Sequence, residues 1–304
     1  MTMTIAVTGG TGFVGQALLD LAGKQRVDVR ALARKAQPDR AGVTWVPGDL
    51  DNRTGLARLM QGAEAVIHVA GLVNTPDPAE FERCNVAGTL NVIEAALAAG
   101  VQRFVFVSSL SAREPDLSQY GASKARAEKL VRASGLAWTI VRPPAIYGPR
   151  DAEMFELFRS ARWGVVPVPK EGRASLIHVD DLARLLLALV PGGVRVAHRV
   201  FEPDDGKPDG WTHDEMARAI GSALGRRVWV PKLSRATLEK VARVDRMLRG
   251  DKAKLTLDRV GYLTHPDWVV SPKARVPATT WRPRIETRAG LAATAQWYRE
   301  QRWL

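Results

Sequence analysis

The chain has 304 residues, 46% hydrophobic and 25% charged, an ordinary globular composition that excludes a disordered or fibrous protein. No apolar run approaches the about 18 residues of a membrane span, and the single cysteine, Cys84, excludes an internal disulfide or a thiolate-cluster metal site. Basic residues exceed acidic ones by 12, unevenly: residues 1–204 carry 24 and 21, net +3, whereas residues 205–304 carry 20 and 11, net +9, with six of the nine tryptophans.

In chain order, the first strand-like run is 4–8. A strand this early leaves no room for a signal peptide, and with one cysteine it suggests the cytoplasm. Residues 8–15 then read Thr-Gly-Gly-Thr-Gly-Phe-Val-Gly and open a helix. Gly9, Gly12 and Gly15 stand three apart, so the backbone can turn sharply and approach a pyrophosphate, which the helix N-terminus attracts. The loop residues Gly9, Thr11, Gly12, Phe13, Val14 and Gly15 are therefore expected to hold a dinucleotide. The second strand, 28–32, is followed by Arg34 and Lys35 and no acid. Cations there suit a 2′-phosphate, because a guanidinium grips phosphate with two parallel bonds. The expected cofactor is NADP, with NAD as the alternative.

Further strands are expected at 44–46, 65–69, 104–107 and 139–142, and helices at 80–99 and 119–134. The runs 65–69 and 104–107 are nearly continuous in apolar residues, as in strands covered on both faces. Such alternation predicts an α/β fold with a doubly wound parallel sheet. The strand at 104–107 ends in Ser108-Ser109, and Tyr120 and Lys124, four apart, share one face of the next helix. This makes an acid–base set: Ser109 to bond a substrate oxygen, Tyr120 to pass the proton, Lys124 to hold the nicotinamide ribose and lower the tyrosine pKa. Moving a phenol from about 10 to about 7 takes roughly 4 kcal/mol. A cation about 5 Å away at an effective dielectric of about 20 supplies roughly 3 kcal/mol.

From Pro143 the pattern breaks into a proline-rich stretch around a helix at 153–163. A strand at 175–179 and a helix at 180–190 follow, with Asp180 or Asp181 as its cap. His178, Asp180 and Asp181 could also be read as a metal cluster, but no metal is expected. Helices follow near 212–224, 234–249 and 287–300. The expected division is a dinucleotide-binding domain, 1–148 plus 174–203, and a smaller, mostly helical substrate lobe, 149–173 plus 204–304. In the helix at 234–249, Leu238, Val241, Val244 and Leu248 form one stripe, with Arg235, Lys240, Arg243, Arg246 and Arg249 around the other side. This pattern fits a packed helix with a solvated basic face. It also fits a surface resting peripherally on anionic lipid at the inner face of a membrane, with tryptophans near the headgroups. No helix-turn-helix signal or aromatic–basic interleaving points to nucleic acid.

The glycine loop, Asp49-Leu50, His68-Val69-Ala70-Gly71, Asn85-Val86-Ala87-Gly88-Thr89, Val107-Ser108-Ser109, Tyr120-x-x-x-Lys124, Arg142-Pro143-Pro144-x-x-Tyr147-Gly148-Pro149 and His178-Val179-Asp180-Asp181-Leu182 together resemble the extended short-chain dehydrogenase/reductases, in order and along essentially the whole chain. The resemblance implies a Rossmann fold, Ser109, Tyr120 and Lys124 as the catalytic set, and Asp49 and Leu50 near the adenine. Val69, Ala70 and Gly71 would run along the cofactor, with Pro143 and Ile146 as further contacts. Asn85 would organise the backbone, and Cys84 would be a small buried residue. Dehydratases of the group carry an acid pair where this chain has Leu110-Ser111, so dehydration is not expected. The chain looks most like the branch that holds the nucleotide-binding accessory subunit of respiratory complex I and bacterial lipid ketoreductases. The expectation is NADPH-dependent reduction of a ketone on an apolar small molecule or lipid, such as a 3-oxo sphingoid base or ceramide. The alternatives are a sugar-nucleotide epimerase with bound NAD and a non-catalytic dinucleotide-binding subunit.

Overall fold

A computed structural model describes residues 3–250, 253 and 255–304. The chain forms two compact units: Met1–Pro143, Leu182–Glu202 and Ala274–Arg282 make the first, and Pro144–Asp181, Pro203–Lys273 and Pro283–Leu304 the second. The first alternates strands and helices: β1 (Thr4–Thr8), α1 (Phe13–Lys24), β2 (Asp28–Ala33), β3 (Val43–Pro47), α2 (Arg53–Met60) and β4 (Ala65–His68). A single turn α3 (Pro78–Phe81), a π-helical stretch (Glu82–Ala87), α4 (Gly88–Ala98), β5 (Arg103–Val107), α5 (Gln119–Ala133) and β6 (Ala137–Val141) follow. All strands of the resulting seven-stranded sheet run parallel, in the order β11-β6-β5-β4-β1-β2-β3, where β11 is Arg199–Phe201. Every residue of β4 and β5 is buried, as their apolar runs require. The strand order reverses between β1 and β4, so the loops beyond their C-terminal ends diverge and open a crevice.

The helix expected at 80–99 is not continuous. Its middle is π-helical, and this turns Asn85 inward: Asn85 Oδ1 accepts from Leu72 N (2.8 Å), and Nδ2 donates to Leu72 O (3.0 Å) and Ser123 Oγ (2.9 Å). The wider turn supplies the extra residue that this orientation needs, a common device near functional sites. Cys84 lies on the same stretch and is half-buried rather than buried.

In the second unit, β7 (Ala145–Tyr147) pairs with β10 (Leu176–His178), and β8 (Val168–Pro169) with β13 (Lys232–Leu233). β9 (Arg173–Ala174) lies between β12 (Trp211–Thr212) and β14 (Asp267–Trp268). Helices α6 (Phe155–Arg162), α8 (His213–Ala223) and α11 (Thr287–Glu300) enclose a core that includes Tyr147, Phe158, Ile220, Leu291 and Tyr298. Helix α9 (Arg235–Arg249) and helix α10 (Leu257–Leu263) pack against each other. Asp181, one of the two expected caps of α7 (Val179–Ala188), is instead a buried tether: its Oδ2 accepts from Arg284 N and Ile285 N, both 3.0 Å. Trp211 and Trp281 are buried, Trp211 donating to Asp205 at 2.8 Å, so these two tryptophans pack the protein and cannot meet lipid headgroups.

A charged side chain is buried within the sheet. Arg103, at the start of β5, is buried, and its guanidinium donates to Leu189 O (2.6 Å), Thr139 Oγ1 (2.7 Å) and Ala137 O. Burial pulls its pKa down to about 10. Arg103→Met keeps the aliphatic stem but strands the two carbonyls, at roughly 1–3 kcal/mol each. The urea midpoint should fall with an unchanged slope, and a midpoint equal to wild type would show that the carbonyls find other donors.

Candidate active site

The crevice between β1 and β4 is lined by backbone. Gly9 takes φ +73°, and a Cβ there would lie 2.6 Å from Ala70 N. A Cβ on Gly15 would lie 2.1 Å from Gly9 O. The chain itself therefore demands glycine at both positions. Gly12 is different. Its φ of −82° suits any residue, and a Cβ would meet only Gly9 O, at 3.4 Å. No protein group asks for glycine there; the room lies above the N-terminus of α1, which has no side-chain cap and no acid in its first turn. Amide donors at the positive end of a helix, left open by a missing side chain, fit a pyrophosphate. Thr11 and Gly12 are exposed at this edge, and Phe13 and Val14 are half-buried behind it.

The other expected cofactor residues occupy distinct environments. Arg34 and Lys35 are exposed immediately past β2 and make no ion pair among the described residues. Asp49 is exposed, and its Oδ1 accepts from Asp51 N (3.0 Å). Leu50 packs on the core against Gly88, where a Cβ would lie 2.7 Å from the leucine Cδ1. Val69 and Ala70 are half-buried after β4, with Ala70 N donating to Thr8 Oγ1 at 3.3 Å. Gly71 is held close to two polar groups: a Cβ would lie 3.0 Å from Asn85 Oδ1 and 3.1 Å from Lys124 Nζ. Pro143 is buried, and its carbonyl accepts from Leu110 N (3.0 Å), tying the end of β6 to the segment that carries Ser109. Ile146 lies on β7 of the second unit, paired in register with Ile177.

Helix α5 starts at a Ser118 cap, whose Oγ accepts from Gly121 N (2.9 Å). Tyr120 and Lys124 follow on its buried face. The Tyr120 ring lies tilted against Phe81, with centroids 6.1 Å apart. Lys124 Nζ donates to Val107 O (2.9 Å) and sits over the Phe106 ring at 5.0 Å. Burial pulls the ammonium down to about 8, against the charge of Glu128, which raises it. Ser109 is half-buried, and its Oγ accepts from Ser111 N (3.1 Å), capping a 3₁₀ turn, Leu110–Arg113. Lys124, the end of β5 and Gly71 thus meet at one place.

Two positions escaped the sequence reading. Glu128 Oε1 accepts from Ser108 Oγ (2.7 Å) and Arg142 Nε (2.8 Å), and Oε2 from Arg142 Nη2 (2.7 Å). Ser123 Oγ donates to Tyr120 O (2.7 Å) while accepting from Asn85. A signal for Glu128 was present: it lies four residues beyond Lys124, on the face that positions 120 and 124 bury. The glycines permit a paired test. Gly12→Ala should leave thermal stability near wild type and weaken dinucleotide binding, whereas Gly15→Ala should cost stability by about 1–3 kcal/mol through overpacking. Equal binding by Gly12→Ala and wild type in a fluorescence titration would remove the loop as a phosphate cradle.

Residues 5–199 match the model of the NAD dependent epimerase/dehydratase family. A ceramide reductase of Caulobacter vibrioides is 37% identical, over 99% of this chain and 96% of that protein. A 4-hydroxy-2-methyl-3-oxo-4-farnesyl-3,4-dihydroquinoline-1-oxide ketoreductase of Stigmatella aurantiaca is 30% identical, over 91% of this chain and 97% of that protein. The solved structure of MoeE5 in complex with UDP-glucose and NAD has the same fold, with a TM-score of 0.76 over 98% of this chain and 99% of that one, at 24% identity. The chain belongs to the NAD dependent epimerase/dehydratase family, the extended short-chain dehydrogenase/reductases, and is an NAD(P)-dependent oxidoreductase.

Proposed function

We propose that the enzyme reduces a ketone on an apolar, lipid-like substrate with NADPH, a 3-oxo sphingoid or ceramide-like molecule being the best candidate. The observation that carries this reading is the buried pair on α5, Tyr120 and Lys124, beside the strand end that bears Ser109. The names of the relatives, a ceramide reductase and a farnesyl-bearing ketoreductase, support the substrate class. Arg34 and Lys35 support the phosphorylated cofactor. A bound nicotinamide supplies the hydride. The chain's own residues manage the oxygen: the Ser109 hydroxyl donates to the carbonyl oxygen, and Tyr120 passes its phenolic proton to it, so the ketone becomes an alcohol. The Lys124 ammonium, anchored on Val107 O, favours the resulting phenolate and offers its remaining hydrogens to a ribose hydroxyl. Because burial brings Lys124 to about 8, this support weakens as pH rises through that value. Substrate recognition is assigned to the lobe formed by residues 149–173 and 204–304.

Two variants test the chemistry and the cofactor separately. Tyr120→Phe keeps the ring and loses the proton, so ketone turnover should fall about 10²–10⁴-fold with NADPH affinity nearly kept. Near-normal turnover would remove Tyr120 from the mechanism, and tightly held NAD with epimerisation and no ketone reduction would overturn the whole reading. Arg34→Ala should weaken NADPH by roughly 1.5–3 kcal/mol, the range for a hydrogen bond to a charged group, while NADH is unaffected. Equal loss for both cofactors, measured by titration, would place Arg34 away from the 2′-phosphate.

A further inference from the structure

Helix α9 is attached to its unit along a narrow line. Leu238 and Ala242 are buried and pack with Val260 of α10, and Leu233 and Leu255 complete the contact. Most of the remaining circumference faces outward. Val241, Val244, Leu248 and Met247 are 46%, 49%, 74% and 77% exposed. At helical spacing these four side chains form one continuous aliphatic stripe on the side away from the core. Lys240, Arg243 and Arg246 flank it. Arg235 and Arg249 are paired within the helix, to Glu239 (2.9 Å) and Asp245 (3.2 Å), but Lys240, Arg243 and Arg246 make no ion pair among the described residues.

A helix of 15 residues, about 22 Å long, therefore presents exposed aliphatic carbon beside three cations that pair with no carboxylate among the described residues. The stripe is wasted on a purely electrostatic occupant such as nucleic acid. A second copy of the chain would set like charge against like. A bilayer with anionic headgroups satisfies both halves: the aliphatic side chains enter the boundary between headgroups and acyl chains, and the cations meet the phosphates. Two further exposed apolar residues lie nearby in the chain, Trp163 at the C-terminal end of α6 and Trp229 ahead of β13, where Trp229 N donates to Gly164 O (2.8 Å). We infer that α9 is a membrane-surface helix that docks the protein on anionic lipid by Val241, Val244, Met247 and Leu248 together with Lys240, Arg243 and Arg246. None of these seven residues belongs to the proposed catalytic or cofactor set, and vesicle binding is measured without turnover, so this inference and the proposed reaction can each fail alone.

The test is flotation of the full chain with phosphatidylglycerol or phosphatidylcholine vesicles. Two variants are compared with wild type, the triple Lys240→Glu, Arg243→Glu, Arg246→Glu and the double Met247→Ser, Leu248→Ser; all five side chains are exposed, and thermal melting checks that each variant folds. Wild type should float with phosphatidylglycerol and hardly with phosphatidylcholine. The triple variant should bind at least about a hundred-fold more weakly, at about five-fold per cation removed. The double variant should also weaken although its cations remain, which separates insertion from simple charge attraction. Raising salt from about 0.1 M to about 1 M shortens the Debye length from about 10 Å to about 3 Å and should release much of the wild type. Absence of wild-type binding to phosphatidylglycerol, equal binding by either variant, or a doubled mass in light scattering that the double variant abolishes would each overturn the inference, the last in favour of a dimer face.

Discussion

The carboxylate of Glu128 is the interaction on which the C-terminal end of the sheet, beside β5 and β6, depends. It lies under the surface with two bonds from Arg142, at the end of β6, and one from Ser108, at the end of β5. A buried carboxylate without such partners would be costly, and a buried ion pair adds little net stability beyond what it offsets. Its effect is to permit one arrangement. Helix α5 must stand at the rotation that turns Glu128 inward, and that rotation also buries Tyr120 and Lys124. Arg142 is held in turn by Glu202 at 3.5 Å, so the ends of β5, β6 and β11 are joined through charge.

Lys124 shows how the apolar surroundings and this charge balance. Its ammonium is desolvated above Phe106 and held by one carbonyl, which pulls its pKa to about 8, while Glu128 one turn away raises it. The outcome is a cation that is mostly charged at neutral pH but easily discharged. His68, at the end of the neighbouring strand, moves in the same direction with nothing to oppose it: full burial and then the Lys124 ammonium lower it to about 3, and its ring bridges Thr8 and Thr89 as a neutral structural group. The two residues illustrate how little burial alone says about chemistry without the partner that opposes it.

The glycine loop separates two reasons for one residue type. Gly9 and Gly15 answer to the chain's own backbone, through a positive φ at the first and a close carbonyl at the second. Gly12 meets no tight contact among the described residues, and its open side faces the amides at the start of α1. The sequence spacing could not distinguish these roles, because three glycines at equal intervals look alike until the distances to Ala70 and Gly9 are known.

What the sequence determined by itself follows from periodicity and local chemistry. The apolar runs of β4 and β5, the helical face shared by Tyr120 and Lys124, the glycine loop between a strand and a helix, and the missing acid beyond β2 are all properties of neighbouring residues, and they fixed a parallel α/β fold and its family. Tertiary structure alone decided the rest. The expected helix at 80–99 divides at a π-helical stretch because Asn85 must reach Leu72 and Ser123, contacts 13 and 38 residues away. Asp181 became a tether instead of a cap because the chain returns, about a hundred residues later, to offer it the amides of Arg284 and Ile285. Trp211 and Trp281 went inside, whereas four aliphatic residues of α9 stayed out, because burial depends on which surfaces the fold brings opposite each other, and no local pattern records that.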